Sequence, residues 1–419
     1  MENSFKNKRR VVVTGLGVVS SIGLTVNEFW NNLIAGKSGI STVEGFDLEK
    51  INSKIAGQIK NFEPQNYINI KDAKRMDRFA QFAVAATLMA LEDSNYKINE
   101  HNCNNTGVFI GSGVGGLSTI EEQHQKLLEK GADRVSPFLV PMMICNMAAA
   151  QVSIASGAKG PVSTVTTACA AGTNAIGDAF EIIKRGAADV MITGGSEAAI
   201  TPLGMAGFAS MHALSTRNDD PPKASRPFER DRDGFVMGEG SGILILEELN
   251  HAINRGANIY AEIIGYGLSG EAYHITALEQ SGVNVARCIE NCLFEAQIEK
   301  EEVDYINAHG TSTPLNDIAE TNAIKKCFGD YAYKLNISST KSMHGHCLGA
   351  AGGVESVATV LAIKNSVIPP TINYFNADEN CDLNYTPNVA VNKNIKVALK
   401  NSMGFGGHNV TLAYKKFEH

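Results

Sequence analysis

Apolar positions along the chain follow two rhythms. Short β-branched or aliphatic runs read as strands: "RVVVTGLGVVS" at 10–20, "SGILILEEL" at 241–249, "IYAEIIGYGLS" at 259–269 and "NVTLAYKKF" at 409–417. Longer stretches at 74–94, 170–185, 285–297, 317–328 and 350–364 carry apolar or small residues at helical spacing. Strands and helices alternate, which predicts an α/β protein with mostly parallel sheets. The 170–185 helix is apolar or small almost all round, with Ala171, Ala175, Ile176, Ala179, Phe180 and Ile183. A helix without a polar face is a buried one. The Ala/Gly-rich opening of 350–364 suits the interior equally. Two buried helices between two sheets predict a layered α/β/α/β/α sandwich.

The order of elements repeats. Each half opens with a strand ending in Gly-x-Gly. Each later has a β-branched strand that turns through small residues into an Ala/Gly-rich helix: "VSTVTTACAAGTNAIGDAF" in the first, "LNISSTKSMHGHCLGAAGGVESVATVLAI" in the second. Each closes on another strand. This predicts an internal duplication with halves at 1–256 and 257–419. The polar, glycine-rich stretch 200–240 is long for a loop, and loops of that length usually cover or build a site.

Composition narrows the classes. With 419 residues, 44% hydrophobic, the chain can bury a large core. A formal net charge of −7 argues against wholesale nucleic-acid binding. No apolar run is long enough for a membrane span, and the polar opening "MENSFKNKRRVVVTG" predicts no secretory leader. Eight scattered cysteines, none in a C-x-x-C, predict free thiols in a reducing cytoplasm. Cys288 and Cys292 lie one helical turn apart, but no His or carboxylate pair completes a metal set, so no metal is expected.

Candidate chemistry gathers at strand ends, where parallel α/β sheets collect their ligands. Cys169 stands between a β-branched run and a helix. Unpaired N–H groups and the helix dipole there favour thiolate, with titration expected at about 3.5–7.5; the alternative is a small buried hydrophobe. His309, in "YINAHGTSTPLND", and His346, in "STKSMHGHCLGAAG", each occupy a glycine-flanked turn. "MGFGGHN" adds a third tight turn around Phe405. "GSGVGG" at 111–116 fits a dinucleotide-binding pattern formally, but no acidic strand end follows at the required spacing.

"TTACAAGTNAI", "NAHGTSTPLND", "STKSMHGHCLGAAG" and "NSMGFGGHN", in this order, resemble the elongating β-ketoacyl–acyl-carrier-protein synthases of the thiolase-fold superfamily, class II type. "VVVTGLGVVS", "GSGVGG", "ALSTRND", "SRPFERDRDGFVMGEG" and "PPTIN" extend the resemblance over nearly the whole chain. It implies a duplicated, thiolase-like five-layer fold, a homodimer and acyl carrier protein as partner. No resident cofactor is implied, because phosphopantetheine arrives on the carrier protein. It implies that Cys169 carries the acyl chain and that His309 and His346 stabilise the enolate formed when malonyl loses CO2. Backbone N–H groups of Cys169 and Phe405 would form an oxyanion hole. Lys341, paired with Glu355, would order the site, and Thr311 and Thr313 would hold the phosphopantetheine arm. Phe405 would gate the acyl pocket and Val114 would help set its depth. Lys71, Lys74, Arg75 and Arg78, placed along one side of a helix, would dock the acidic carrier protein. Three positions depart from the family pattern: His344 for threonine, His408 for threonine and Glu271 for aspartate. A thiol hydrolase, using Cys169 and one imidazole, and an inactive chain-length partner are the competing readings; the first leaves Lys341 without a task and the second does not need the cysteine.

Overall fold

The computed structural model describes residues 9–418, so the polar residues 1–8 weighed in the leader argument lie outside it. Ten strands form the main sheet: β1 (Val11–Val19), β2 (Thr106–Gly111), β3 (Val162–Val165), β4 (Val190–Glu197), β5 (Gly240–Glu248), β6 (Ala261–Gly270), β7 (Tyr305–Asn307), β8 (Asn336–Ser338), β9 (Val397–Gly404) and β10 (His408–Lys415). Their spatial order is β3-β2-β4-β5-β1 followed by β6-β10-β9-β7-β8. Counted from the outer edge inward, the second five repeat the order of the first. β2 is parallel to β3 and β4, and β7 to β8 and β9; the remaining pairings are antiparallel.

Two separate sheets were expected. Instead the halves join through a short antiparallel pairing of Val11–Val13 with Ala261–Ile263. Both β1 and β6 would otherwise leave an open edge inside the molecule, and pairing satisfies those backbone groups.

The layers follow from which helices lack a polar face. α1 (Arg78–Asp93) packs outside the first half on β1, β5 and β4. α2 (Ala171–Lys184) and α5 (Ala351–Asn365) lie between the halves and pack on each other. α3 (Val283–Ala296) and α4 (Pro314–Phe328) cover the second half. Every residue of α5 from Ala351 to Ile363 is buried. The two inner helices approach so closely that a Cβ on Gly352 would lie 2.2 Å from the Thr173 backbone nitrogen.

The helix expected at 74–94 begins only at Arg78, because Asp77 caps it by accepting from the Phe79 N–H. A separate short helix, Ile70–Ala73, precedes it. The stretch 200–240 is partly ordered as a helix, Pro202–Ser210, and folds back over the site.

Candidate active site

β3 ends in a single tight turn, Ala168–Ala170, before α2 begins. Ala168 has φ of +50°, a left-handed conformation that costs energy for a residue with a Cβ. That kink sets Cys169 at the head of a buried helix. The thiol opens onto a cavity of about 360 Å³ that is also lined by His309, His346, Thr311, Thr313 and Phe405. Residues some 140 and more positions apart in sequence thus share one chamber.

The thiol is not the expected thiolate. Burial pushes Cys169 up to about 12. The charge of Lys341 and the N–H groups of Phe405 and Cys169 itself pull it down, while Glu197 adds to the rise. Desolvation outweighs the helix terminus, so the resting sulfur carries its proton.

His309 follows β7. Its backbone N–H donates to Glu320 Oε1 at 2.8 Å, and that of Gly310 donates to Oε2 at 2.8 Å. Lys341 donates to the His309 carbonyl at 2.6 Å and lies 3.4 Å from Nδ1. Since an ammonium can only donate, Nδ1 accepts and Nε2 carries the ring proton. His346 is fixed through its backbone: its N–H donates to the Val236 carbonyl at 2.7 Å and its own carbonyl accepts from Gly238 at 2.8 Å. The two imidazoles meet edge to face at 5.3 Å, and Phe235 stands edge-on to His346 at the same centroid distance. Burial first, then the charge of Lys341, hold both rings well below the usual histidine range, so both are neutral.

Lys341 is buried and ion-paired with Glu355 at 2.5 Å, as the resemblance implied. The hydroxyls of Thr311 and Thr313 lie 2.9 Å apart at the cavity wall. Phe405 is followed by Gly406 and Gly407, with φ of +89° and +80°, a backbone that residues with a Cβ adopt only under strain. Gly406 donates to the Ile275 carbonyl at 2.8 Å, and Glu271 donates its N–H to the Gly407 carbonyl at 2.9 Å, so the aromatic turn is tied to the segment after β6.

The family model for "Beta-ketoacyl synthase, N-terminal domain" matches residues 8–252, and that for "Beta-ketoacyl synthase, C-terminal domain" matches residues 260–375. The chain belongs to the beta-ketoacyl synthase family. This synthase is 54% identical over 411 residues, 98% of its length and 99% of the relative's, to the 3-oxoacyl-[acyl-carrier-protein] synthase 2 of Synechocystis sp.. It is 52% identical over 410 residues, with 98% and 99% coverage, to the enzyme of that name from Staphylococcus aureus. Among solved structures it resembles a ketosynthase complexed with its type II PKS acyl-carrier protein, at TM-score 0.92 and 41% identity, covering 98% of this chain and 100% of the other. A beta-ketoacyl synthase from Burkholderia phymatum superposes at TM-score 0.91 with 34% identity and the same coverages.

Val114, expected to help set the depth of the acyl pocket, packs in an apolar cluster with Cys169, Met205 and Leu348. One expectation about the synthase needs correction. Lys71, Lys74, Arg75 and Arg78 do not share one side of a helix, because the cap at Asp77 splits the segment. Lys71, Lys74 and Arg75 are exposed, but Arg78 is ion-paired with Glu239 at 3.1 Å and its guanidinium lies over Phe82.

The three departures are also placed. His344 is buried and points away from the cavity, its ring nitrogens bonded to Thr340 Oγ1 and the Gly345 carbonyl. His408 is exposed at the head of β10. Glu271 braces the aromatic turn and accepts from Asn409 at 2.6 Å.

Sequence reasoning missed Glu320, Lys400, Phe208, Phe235 and Glu197. The "GSGVGG" turn does bind an anion, but that anion is the chain's own Glu197. Its carboxylate accepts from Ser112, Gly113, Val114, Gly115 and Gly349. A lysine directly after the apolar run Val397–Leu399 was the signal that could have flagged Lys400.

Proposed function

We propose that the chain catalyses the decarboxylative condensation of an acyl thioester with malonyl-[acyl-carrier-protein] in fatty-acid elongation, as a 3-oxoacyl-[acyl-carrier-protein] synthase of type 2. The observation that carries this reading is one cavity lined by Cys169, His309 and His346. In the first half-reaction the Cys169 sulfur bonds the acyl carbon and the carrier thioester C–S bond breaks. The thiol proton goes to the departing carrier thiol by way of a neutral imidazole on the same cavity. N–H groups of Cys169 and Phe405 stabilise the oxyanion. In the second, malonyl releases CO2 and its bonding electrons form an enolate, which His309 and His346 stabilise as donors. The enolate carbon attacks the acyl carbonyl, the bond to sulfur breaks with its electron pair going to sulfur, the thiolate takes up a proton from solvent, and a 3-oxoacyl thioester two carbons longer leaves.

The other assignments fit this chemistry. Thr311 and Thr313 hold the phosphopantetheine arm, no resident cofactor or metal takes part, and Phe405 gates the acyl chain. Lys71, Lys74 and Arg75, all exposed, dock the acidic carrier protein. An exposed edge strand, β3, and exposed Val140 and Ile154 support a homodimer. Eight unpaired cysteines support a cytoplasmic location, and among the described residues no helix is long and apolar enough to cross a membrane. The repeated strand order supports halves at 1–256 and 257–419.

The test is mass spectrometry after incubation with acyl-loaded carrier protein. An adduct on Cys169 that persists until malonyl-carrier protein is added is expected. Rapid hydrolysis would point to a thiol hydrolase instead, and no adduct would point to an inactive partner.

A further inference from the structure

Lys400 lies in β9 with its side chain fully buried, and nothing proposed above uses it. A buried ammonium is tolerated only when paired and hydrogen-bonded. Its Nζ lies 2.7 Å from Glu355 Oε2, donates to Ser402 Oγ at 3.1 Å and donates to the Asn401 carbonyl. The other oxygen of Glu355 takes Lys341. One carboxylate therefore stands between two ammonium groups. Lys341 continues to His309, at its carbonyl and Nδ1. A second route runs from Asn401 Nδ2, which donates to Glu320 Oε1 at 3.4 Å, and on to the His309 N–H. Lys400 thus reaches the His309 imidazole through Glu355 and Lys341, while its neighbour Asn401 reaches the His309 backbone N–H through Glu320.

A single lysine facing a single buried glutamate would be drawn wholly into that pair. A second cation shares the carboxylate and leaves Lys341 the freedom to donate to His309. We propose that Lys400 is a positioning residue for the malonyl half-reaction, which acts through Glu355 and Lys341 to hold His309 in the tautomer that presents Nε2–H to the cavity. This deepens the condensing reading and rests on it.

Charge supports the same assignment. Lys400 adds to the fields of burial and Lys341 that keep His309 and His346 unprotonated. Lys400 itself is brought down to about 8, chiefly by burial, with Lys341 acting the same way and Glu355 and Glu320 opposing. The other titratable groups facing this network are His344, Tyr305, Cys347 and Cys169. Raising pH past about 8 therefore discharges Lys400 in the unmodified protein.

The test is ¹⁵N NMR of the histidine rings, with His309 assigned by His309→Asn, beside separate assays of Cys169 acylation and malonyl decarboxylation. In the unmodified protein His309 should be Nε2–H at pH 7 and become a tautomer mixture above about pH 8. Lys400→Gln should show the mixture at pH 7. Its decarboxylation should fall about tenfold, the worth of one lost hydrogen bond, with acylation falling less. Lys400→Arg, charged at every pH tested, should keep the single tautomer beyond pH 8. A single tautomer throughout in Lys400→Gln, or equal loss of both half-reactions, would overturn the proposal. If the Gln variant fails to fold, Lys400→Met, which keeps the length of the stem without the charge, decides by the same spectrum at pH 7: a single unchanged tautomer overturns it. Unmodified protein that neither takes up acyl groups nor releases CO2 would sink the condensing reading instead, and the ring spectra would still judge Lys400.

Discussion

Two strand-to-helix elbows, one in each half, share a backbone and differ in what they hold. Ala168 and Leu348 both have left-handed φ, +50° and +47°, and each opens a tight turn that leads into a buried helix. In the first elbow the next residue is Cys169, open to the cavity. In the second it is Gly349, whose N–H donates to Glu197 at 3.1 Å. A Cβ there would lie 2.3 Å from the Gly113 nitrogen and 2.6 Å from Glu197 Oε2. The kink alone makes no reactive centre. It offers N–H groups at a helix head; an empty chamber turns that into a site, and a resident carboxylate closes it.

The sharpest way to break this comparison is at the open elbow. Cys169→Ser should lose condensation by about a thousandfold or more, because serine supplies no comparable nucleophile or leaving group. Cys169→Gln should lose it too yet keep malonyl decarboxylation, measured as CO2 release, since the imidazole donors remain. At the closed elbow one methyl is enough. Gly349→Ala should destabilise the fold by about 3 kcal/mol, seen as a lower denaturation midpoint, because the clash is with backbone and a bound carboxylate. Cys169→Ala should cost about 1 kcal/mol or less by the same measurement.

Glu197→Gln probes the link between the elbows. An amide NH2 must then face one of the five donors, costing about 1–3 kcal/mol. Removing the negative charge that helps push Cys169 up should also let iodoacetamide alkylate the thiol at lower pH than in the parent. A separate effect concerns acid. His309 and His346 are held below the usual range, so on acidification the unfolded chain takes up their protons first. Stability should therefore fall as pH drops below about 6.5. His309→Asn with His346→Asn should reduce that slope in denaturant titrations at pH 5 and 7, leaving the share of His344, which burial also lowers, to about 4.

Element order, the buried helices and the cysteine and two histidines that share the cavity were legible because each leaves a local mark: a β-branched run, an all-apolar helix, a glycine beside a polar residue at a strand end. What was not legible depends on contacts remote in sequence. The proton on Cys169 follows from burial that no short window reports. The anion in the "GSGVGG" turn comes from Glu197, 84 residues beyond Gly113. The basic segment reads as one helix until Asp77, also bonded to Ser118 and Thr119, is seen to cap it. The partner of Glu355 reads as Lys341 alone until β9 brings Lys400 to its other oxygen.

The pairing of Val11–Val13 with Ala261–Ile263 acts as a ruler between the parts that supply sulfur and imidazole. A slip of one residue there would carry one half past the other by about 3.3 Å. Misplacement of even about 1 Å can cost a hundredfold in rate. Six residues far from the chemistry thereby calibrate the gap across which a carbon–carbon bond has to form.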